Sequence, residues 1–522
     1  MNAGLVDRLG RPIPPQRISS PSRDSGAYRG TINNYRPRRT HTQAGETAER
    51  NLTQARADDL YANDFAAKSA VDSVVTNAVG TGLSPQARLP YRLLGITKEQ
   101  AYEIKEQQEW LWWEWTAQAD ATGNMSFEDI QYLGLSSVLR SGEMLHMPVS
   151  EPPSESNDRT FSLCIQALLS QRLATPSDKI TDASIRDGVH LGKGGRPEGY
   201  WVYSPSNTTI FYDTNATSSD FRYIPARIGH RPGIFHLFRR EREEQVRGTS
   251  SLSTGVKLFR NLTDAIDYEL LAQVLAASFP VFLEREGGAN GMSPELLARM
   301  KGEAYVGNDG ETHYYGEVEP GGFLVGKPGD KLNVLESKRP SQNFLSFVEL
   351  ILRALGASIG IPYEVLLKDF SKTNYSSARA ALNEAWKLYM LYRKWFVRQY
   401  CQPIWAMVQE EAWLRGRLVL PAKAKGFYEA RRLWTSADWY GPSRGYVDPV
   451  KEVQATILKL QNHLTTYGKA LAEDGEDADD LMDARRDELG RMSDLPPAAG
   501  LSGGTLAAPI PEDIQEADHA LA

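Results

Sequence analysis

Hydrophobic residues recur every three or four positions in five long stretches of the chain. This periodicity predicts four helices, over residues 48–79, 97–119, 251–279 and 344–361. Pro280 and Pro362 are expected to end the last two, because proline cannot continue a helix. A fifth stretch, residues 376–415, predicts a continuous helix of about 57 Å at 1.5 Å per residue. It is interrupted at Pro403, where we expect it to bend.

Four tryptophans crowd the second predicted helix, at positions 110, 112, 113 and 115. Such a cluster could form a ligand cage or a stacking platform. Aromatic clusters on helices more often pack between neighbouring elements, so we favour packing in the core.

Short apolar runs alternate with turn residues between residues 161 and 247, which predicts strands, among them residues 199–203 and 208–212. Strand-like pieces also surround Tyr305 and Phe323, between the third and fourth predicted helices. The chain is therefore expected to have a mixed α+β fold. Its 522 residues are too many for a single hydrophobic core, so more than one packed region is expected.

Charge is distributed unevenly around a net of −7. Residues 1–45 contain eight Arg against two Asp, and residues 473–522 contain fourteen Asp and Glu against three Arg, while the remainder is nearly neutral. The first segment is either a basic arm that contacts nucleic acid or an acidic partner, or a merely flexible arm. The second is expected to be a solvated acidic tail.

Several protein classes are excluded or disfavoured by composition. The two cysteines, Cys164 and Cys401, form no CxxC pair, which argues against a disulfide framework or structural zinc. The longest apolar stretch, residues 270–283, is too short to cross a membrane, and no secretory signal is predicted at residues 1–10. We expect folding in a reducing cytoplasm and no membrane partner.

One stretch of the sequence nearly matches a catalytic motif. Residues 321–328 have the GxxxxGK spacing of a phosphate-binding loop, but Pro328 stands where a Ser or Thr hydroxyl should ligate Mg²⁺. The Gly-rich stretch 192–196 lacks a dinucleotide fingerprint, and the eight histidines form no metal motif. We therefore predict no catalytic residue, no cofactor and no metal site.

A series of short motifs occurs in order along the chain. They are Arg56-Ala57-Asp58-Asp59-Leu60-Tyr61-Ala62-Asn63, Val79-Gly80-Thr81-Gly82-Leu83, Trp113, Trp115, Asp120, Gly123, Ser126-Phe127, Ser141-Gly142-Glu143, Arg239-Arg240-Glu241-Arg242-Glu243-Glu244-Gln245-Val246-Arg247-Gly248, Gly360-Ile361-Pro362-Tyr363-Glu364 and Asn374-Tyr375-Ser376-Ser377-Ala378-Arg379. These segments resemble the lambda-type family of tailed-phage portal proteins. The resemblance covers residues 50–440 and is sharpest at Asn374 to Arg379, where the predicted long helix starts.

The resemblance implies a mostly helical α+β portal subunit that assembles into a ring, dodecameric in the virion. Its parts would be a wing, a two-helix stem, a small α/β clip, a long kinked helix and a C-terminal helical crown. The implied boundaries are 1–45 for the basic arm, 46–251 for the wing, 252–280 for the first stem helix, 281–343 for the clip, 344–366 for the second stem helix, 367–375 for the tunnel loop, 376–443 for the long kinked helix and wing return, and 444–522 for the crown and acidic tail.

The implied functional site is the tunnel loop. Repeated around a ring, Lys368 and Lys372 would form cationic rings that touch DNA phosphates without reading bases. The alternative is an ordinary helix connection with solvated lysines, and Asn374 or Ser376 can cap the following helix. The site residues are Lys368, Asp369, Phe370, Ser371, Lys372, Thr373 and Asn374 for the DNA channel, and Asn374, Tyr375, Ser376, Ser377 and Arg379 for the family motif.

The implied function is that of a non-enzymatic DNA conduit at the portal vertex of the virion, assembled in the host bacterial cytoplasm. Its implied partners are other copies of the chain, double-stranded DNA without sequence specificity, the terminase large subunit, the head-tail connector protein, and the major capsid or scaffold protein. Two alternatives remain: a packaging ATPase or nuclease, suggested by residues 321–328, and a different capsid or tail protein that builds a shell or tube.

Overall fold

A computed structural model describes residues 43–154, 157–204, 216–277, 281–285, 304–306, 312–314, 330–334, 344–444, 449–473, 478, 481–482, 485–486 and 489–490. The chain divides into two units, Met1–Asn51 and Leu52–Ala522. Of the first unit, the structure describes the beginning of one helix, from Gln43. All packing described below belongs to the second unit.

Helices and strands alternate along the chain in a mixed α+β arrangement. The helices are α1 Gln43–Asn63, α2 Phe65–Ala78, α3 Tyr91–Leu94, α4 Lys98–Thr116, α5 Phe127–Ser141, α6 Val256–Ala277, α7 Phe344–Ile359, α8 Tyr363–Leu367, α9 Tyr375–Phe396, α10 Gln402–Leu414, α11 Arg431–Trp434, α12 Pro449–Gln461 and α13 Tyr467–Glu473. The strands are β1 Ser84–Ala87, β2 Met144–Ser150, β3 Leu163–Leu168, β4 Ile185–Arg186, β5 Val189–Leu191, β6 Pro197–Tyr203, β7 Phe221–Pro225, β8 Arg227–Ile228, β9 Arg231–Pro232, β10 Phe235–Leu237, β11 Val281–Arg285, β12 Ala304–Val306, β13 Thr312–Tyr314, β14 Asp330–Val334 and β15 Ala437–Tyr440.

The strands form small antiparallel sheets. One has the order β10-β2-β3, with His146 opposite Phe235, and another has the order β4-β5-β6-β7. Two-stranded pairs are β1 with β15, β8 with β9, β11 with β14, and β12 with β13. The pair β1–β15 joins two regions more than 300 residues apart, because Ser84 lies opposite Tyr440.

Helix α2 lies at the centre of the main core. It packs against α5, α8 and α9. Its buried positions are mostly Ala and Val, whose small side chains let neighbouring helices approach closely. This core fixes the base of the segment between α8 and α9, which carries the predicted site.

The prediction of one continuous helix over residues 48–79 is wrong at one residue. Asp64 separates α1 from α2: its side chain accepts a hydrogen bond from the Ala67 N–H at 2.8 Å and caps α2. The same side chain accepts a hydrogen bond from Thr263 Oγ1 at 3.0 Å, across to α6. A short carboxylate that binds nearby N–H groups competes with helix continuation, and hydrophobic periodicity does not report this.

The interruption expected in the long helix is present and has a particular form. Residues Val397–Cys401 make a π-helical turn between α9 and α10, in which the Gln402 N–H bonds to the Val397 carbonyl. Pro403 then lies in the first turn of α10, where its missing N–H costs little. The break therefore begins six residues before the proline.

The tryptophan cluster divides between core and surface. Trp112 and Trp115 are buried, and Trp115 Nε1 donates to the Leu163 carbonyl at 2.9 Å, whereas Trp110 and Trp113 are exposed. The core interpretation is therefore confirmed for two of the four. Helix α4 itself begins at a capping box formed by Thr97 and Gln100.

The strand predictions are confirmed at β6 and around Tyr305 in β12. Residues 208–212, Phe323 and the near-match 321–328 lie outside the described residues. Among the helices that the structure describes, none is long and apolar enough to span a membrane.

Candidate functional site

The segment between α8 and α9 is a short exposed connection with defined ends. Lys368 closes α8 in the left-handed region, at φ 56°, and its N–H bonds to the Glu364 carbonyl. At the other end Asn374 caps α9: its side-chain oxygen accepts a hydrogen bond from the Ser377 N–H at 2.8 Å. Of the two possible caps, Asn374 and Ser376, the structure selects the first.

The base of this connection is held by buried contacts. Val365 and Leu366 of α8 are buried. The Leu366 carbonyl accepts a hydrogen bond from the Ser69 hydroxyl at 2.6 Å, which ties α8 to the central helix α2. The exposed residues beyond Leu367 therefore project from a fixed support.

Hydrogen bonds within the connection also restrict its shape. The Asp369 carboxylate accepts the Ser371 N–H at 2.9 Å, and Thr373 Oγ1 donates to the Phe370 carbonyl at 2.9 Å. Hydrogen bonds from the Ser371 hydroxyl and backbone, with a smaller effect of Lys372, lower the pKa of Asp369. Asp369 therefore stays ionised at neutral pH, and the three charged residues of the connection sum to one positive charge.

The two lysines of the connection differ in their surroundings. Both are exposed. Lys372 Nζ lies 3.7 Å from a Glu349 carboxylate oxygen on α7, and Glu349 also accepts a hydrogen bond from Arg353 at 2.8 Å. A pair this exposed is weak, so Lys372 can exchange its carboxylate for another anion at little cost.

The remaining residues of the family motif lie on the first turns of α9. Ser376 and Ser377 are exposed, and Arg379 is half-buried. The side chain of Tyr375 is outside the described part of the structure. The motif residues therefore follow directly from the exposed connection, and Asn374 belongs to both.

Helices α6 and α7 pack together at one end and expose apolar side chains at the other. Phe259, Leu262 and Leu355 are buried in the common core. Toward the segment 281–343, by contrast, large apolar side chains are exposed on both helices: Tyr268, Leu270, Leu271 and Val274 on α6, and Leu345, Phe347 and Leu350 on α7. These exposed side chains leave apolar surface on both helices that another chain could bury.

A buried polar cluster brings together two segments of the sequence resemblance. The Glu143 carboxylate accepts Arg247 Nε at 2.8 Å, the Gly248 N–H at 3.1 Å and His236 Nε2 at 2.9 Å. The Arg247 guanidinium also donates to the carbonyls of Leu173 and Asp187, each at 2.7 Å. Ser141 to Glu143 and Arg239 to Gly248 are separate matching segments of the sequence, and the opposite charges within them are the signal that they pair.

Within this cluster, the opposite charges of Glu143 and Arg247 stabilise each other. Burial alone would raise the pKa of Glu143, but the charge and hydrogen bonds of Arg247, together with His236, hold it well below its usual value. Burial alone would lower the pKa of Arg247, but Glu143 raises it above its ordinary value. Both groups are charged and paired, which indicates a structural connection rather than acid–base chemistry.

No group of three His, Cys, Asp or Glu side chains within the described ranges could hold a metal ion. Cys164 and Cys401 are free and buried, and burial raises the pKa of each thiol. Neither is poised as a nucleophile.

Comparison with known proteins identifies the family. Residues 29–393 match the model described as phage portal protein, lambda family. The chain belongs to this family of portal proteins of tailed phages.

Named relatives agree with this assignment. The portal protein of Escherichia phage N15 is 26% identical over 88% of this chain and 87% of its own length. Portal protein B of Escherichia phage lambda is 26% identical over 87% of this chain and 86% of its own length. The probable portal protein of Halomonas phage phiHAP-1 is 21% identical over 74% of this chain and 70% of its own length.

Solved structures also show similar chains. A chain from the neck of a native gene transfer agent particle computed with C12 symmetry is 14% identical, with a TM-score of 0.43, and the match covers 83% of this chain and 93% of that one. A chain from the neck of an empty particle of the same kind, computed with C6 symmetry, gives a TM-score of 0.45 at 14% identity, covering 84% of this chain and 95% of that one.

Proposed function

We propose that the chain is the repeating subunit of a closed ring at one vertex of the capsid, the channel through which double-stranded DNA is packaged and later leaves. Family membership over residues 29–393 carries this proposal. The terminase large subunit would dock to the ring during packaging, and the head-tail connector afterwards. The major capsid or scaffold protein would surround it in the virion.

The exposed apolar faces of α6 and α7 support ring assembly. Leu271 and Leu350 are 54% and 64% exposed in the isolated chain. Each apolar side chain transferred from water to an interface contributes about 1.5–3 kcal/mol when fully buried. Exposed apolar residues suit head-to-tail contacts between subunits, which form a ring when successive rotations add up to one full turn without a shift along the axis.

The regions of the subunit follow the boundaries that the resemblance implies. Residues 46–251 would form the wing, and residues 252–280 and 344–366, which contain α6, α7 and most of α8, would form the stem. The clip would be residues 281–343, and the long kinked helix and wing return residues 376–443. The crown and acidic tail would occupy residues 444–522.

The connection between α8 and α9 is proposed as the tunnel loop that faces DNA. It is exposed, held at its base by buried contacts, and carries Lys368 and Lys372 with one compensating carboxylate. Contacts of lysine with phosphate are independent of base sequence and weaken with salt. A weakly positive ring of such loops would contact a duplex without arresting its sliding.

We propose that this ring performs no catalysis and that the terminase hydrolyses ATP. The family is one of structural portal proteins. In the sequence, Pro328 removes both the hydroxyl and the N–H that a phosphate-binding loop requires at that position.

Electron microscopy of the purified full chain tests the proposal. End-on views are expected to show closed rings with an open axial channel, and counting their rotational symmetry gives the subunit number, twelve if the family's virion form is kept. Two-dimensional lattices or stacked tubes would instead identify a shell or tube protein. ATPase activity that disappears in Lys327→Ala would contradict the non-enzymatic part alone.

A further inference from the structure

A second surface, separate from the tunnel loop, has the character of a binding cleft. It lies between the β8–β10 region and the π-helical turn with α11, and its volume is about 760 Å³. Pockets of roughly 300–1,000 Å³ hold small ligands or short peptide segments.

Unpaired arginines line this cleft. Arg227, Arg398 and Arg432 are exposed, and none has a carboxylate within ion-pair distance among the residues that the structure describes. Arg431, also in the lining, is different: its guanidinium donates to Glu410 at 2.9 Å. The cleft therefore presents three positive charges that no described carboxylate pairs with.

The walls of the cleft are fixed by internal hydrogen bonds. The Gln402 amide donates to the Thr435 carbonyl at 2.6 Å and accepts from Trp439 Nε1 at 2.8 Å, which joins α10 to the end of α11 and to β15. Pro232, Ile234 and Pro403 add apolar lining. A fixed cleft with guanidinium groups and apolar surface suits a segment that combines carboxylates with an aliphatic side chain, because guanidinium pairs with carboxylate in a planar two-bond geometry.

The chain itself contains a segment of this composition. Residues 492–522 carry five Asp and Glu and no Lys or Arg. Within them, residues 511–518 read Pro-Glu-Asp-Ile-Gln-Glu-Ala-Asp, with Ile514 between acidic pairs. Glu512 lies 22 residues after Gly490, a stretch of chain that can span up to about 75 Å when extended.

We propose that the arginine-lined cleft is the docking site of the protein's own acidic segment, residues 511–518. Glu512, Asp513 and Glu516 pair with the guanidinium groups, and Ile514 contacts the apolar lining. Docking neutralises the positive charge of the cleft. The inference does not depend on ring formation or DNA transport.

Photo-cross-linking in the full chain tests this docking. With p-benzoylphenylalanine replacing Ile514, mass spectrometry is expected to map the cross-links to peptides containing residues 227–237, 397–406 and 431–439. Arg398→Glu with Arg432→Glu is expected to lower their yield about fivefold, from the loss of two partly exposed ion pairs. Raising NaCl to 1 M shortens the screening length to about 3 Å and should also lower the yield.

A matched variant and a charge exchange complete the experiment. Arg196→Glu with Arg222→Glu reverses two exposed arginines outside the cleft and should leave the yield unchanged. Glu512→Arg with Glu516→Arg should restore cross-linking in the Arg398→Glu, Arg432→Glu background. If these glutamates prevent folding, as judged by circular dichroism, Arg398→Gln with Arg432→Gln replaces them.

Three results would overturn the proposal. Cross-links outside the three cleft regions would show that the segment docks elsewhere. Equal yields from the cleft variant and the matched variant would show that the arginines do not bind it. If the cleft variant loses binding to a short labelled oligonucleotide while cross-linking persists, the cleft is a nucleic-acid site.

Discussion

Arg247 and Glu143 form a fully buried ion pair across 104 residues of chain, with Arg247 Nε 2.8 Å from a Glu143 carboxylate oxygen. Gly142 beside it is at φ 91°, and a Cβ there would lie 2.5 Å from the Thr249 carbonyl carbon. Gly248 is confined in the same way, because its Cβ would lie 2.0 Å from the Gly142 carbonyl oxygen. The pair therefore lies where two backbone segments touch, and it locks the end of α5 to the segment that leads into α6.

Arg247→Met is expected to destabilise the protein by about 3–5 kcal/mol, because it removes the guanidinium charge that compensates the buried Glu143 carboxylate. Thermal and urea unfolding, followed by circular dichroism, measure this loss. The double variant Glu143→Leu with Arg247→Met removes both charges and should recover much of it. Arg88→Ala breaks an exposed pair, 72% and 64% accessible at Arg88 and Asp438, and should cost less than about 1 kcal/mol. Equal losses in the single and double variants would mean that packing, and not the uncompensated charge, is responsible.

His146 and Tyr400 predict a pH dependence of stability. His146 Nδ1 lies 2.6 Å from the Tyr400 hydroxyl, and burial lowers the pKa of His146 to about 3. Since the unfolded value is about 6.5, the unfolded chain binds the proton more readily. The contribution of His146 is therefore complete above pH 6.5 and is lost as the pH falls toward 3. Between pH 7 and pH 5 the loss is about 2 kcal/mol.

His146→Gln isolates this effect, because the amide can still bond to Tyr400 and does not titrate. Thermal unfolding at pH 7 and pH 5 should show a smaller drop in the variant than in the parent chain. Glu143 does not obscure the comparison, since its depressed pKa costs stability only at pH values near and below about 4.5. The same drop in both proteins would show that His146 is protonated without unfolding.

Hydrophobic periodicity predicts mainly those helices whose formation depends on packing of apolar side chains. Helices α4, α6 and α7, and the start of α9, agree with the sequence to within about five residues, because each carries apolar residues at helical spacing. The break at Asp64 and the π-helical turn before Pro403 depend on individual hydrogen bonds, to Ala67 in one case and from Gln402 to Val397 in the other. Periodicity averages over a window and does not register single bonds.

Part of the candidate site could be predicted from the sequence. The order and spacing of the motif identify the connection between α8 and α9, and the Asn374 cap follows from a known preference. The Lys372 contact with Glu349 joins residues on different elements, so no local pattern reports it. The arginine-lined cleft is assembled from β8, the π-helical turn and α11, and likewise appears only in three dimensions.

The exposed apolar residues of α6 and α7 lead to a prediction about assembly. Leu271→Glu with Leu350→Glu places one charge on each helix, where burial against a neighbouring subunit would leave the charges unpaired. The variant should remain folded but monomeric. Light scattering after gel filtration gives the mass, and circular dichroism confirms folding. Ile180→Glu, at a residue 70% exposed and outside both helices, is the matched control and should assemble. Rings from the double variant would place the subunit contact elsewhere.

The last prediction concerns the proposed contact of the tunnel loop with DNA. Lys368→Ala with Lys372→Ala should leave the fold and the ring intact, because both side chains are exposed and the Lys372 contact with Glu349 is weak. DNA packaging or retention should fall, since each subunit loses two phosphate contacts that are repeated around the channel. Packaged DNA length on pulsed-field gels and plaque titre in a complementation assay measure the effect. Lys423→Ala with Lys425→Ala removes two exposed lysines from the segment after α10 and should change neither quantity. Full-length packaged DNA and an unchanged titre in the loop variant would refute the assignment of residues 367–375 to the channel, even if the rings themselves form.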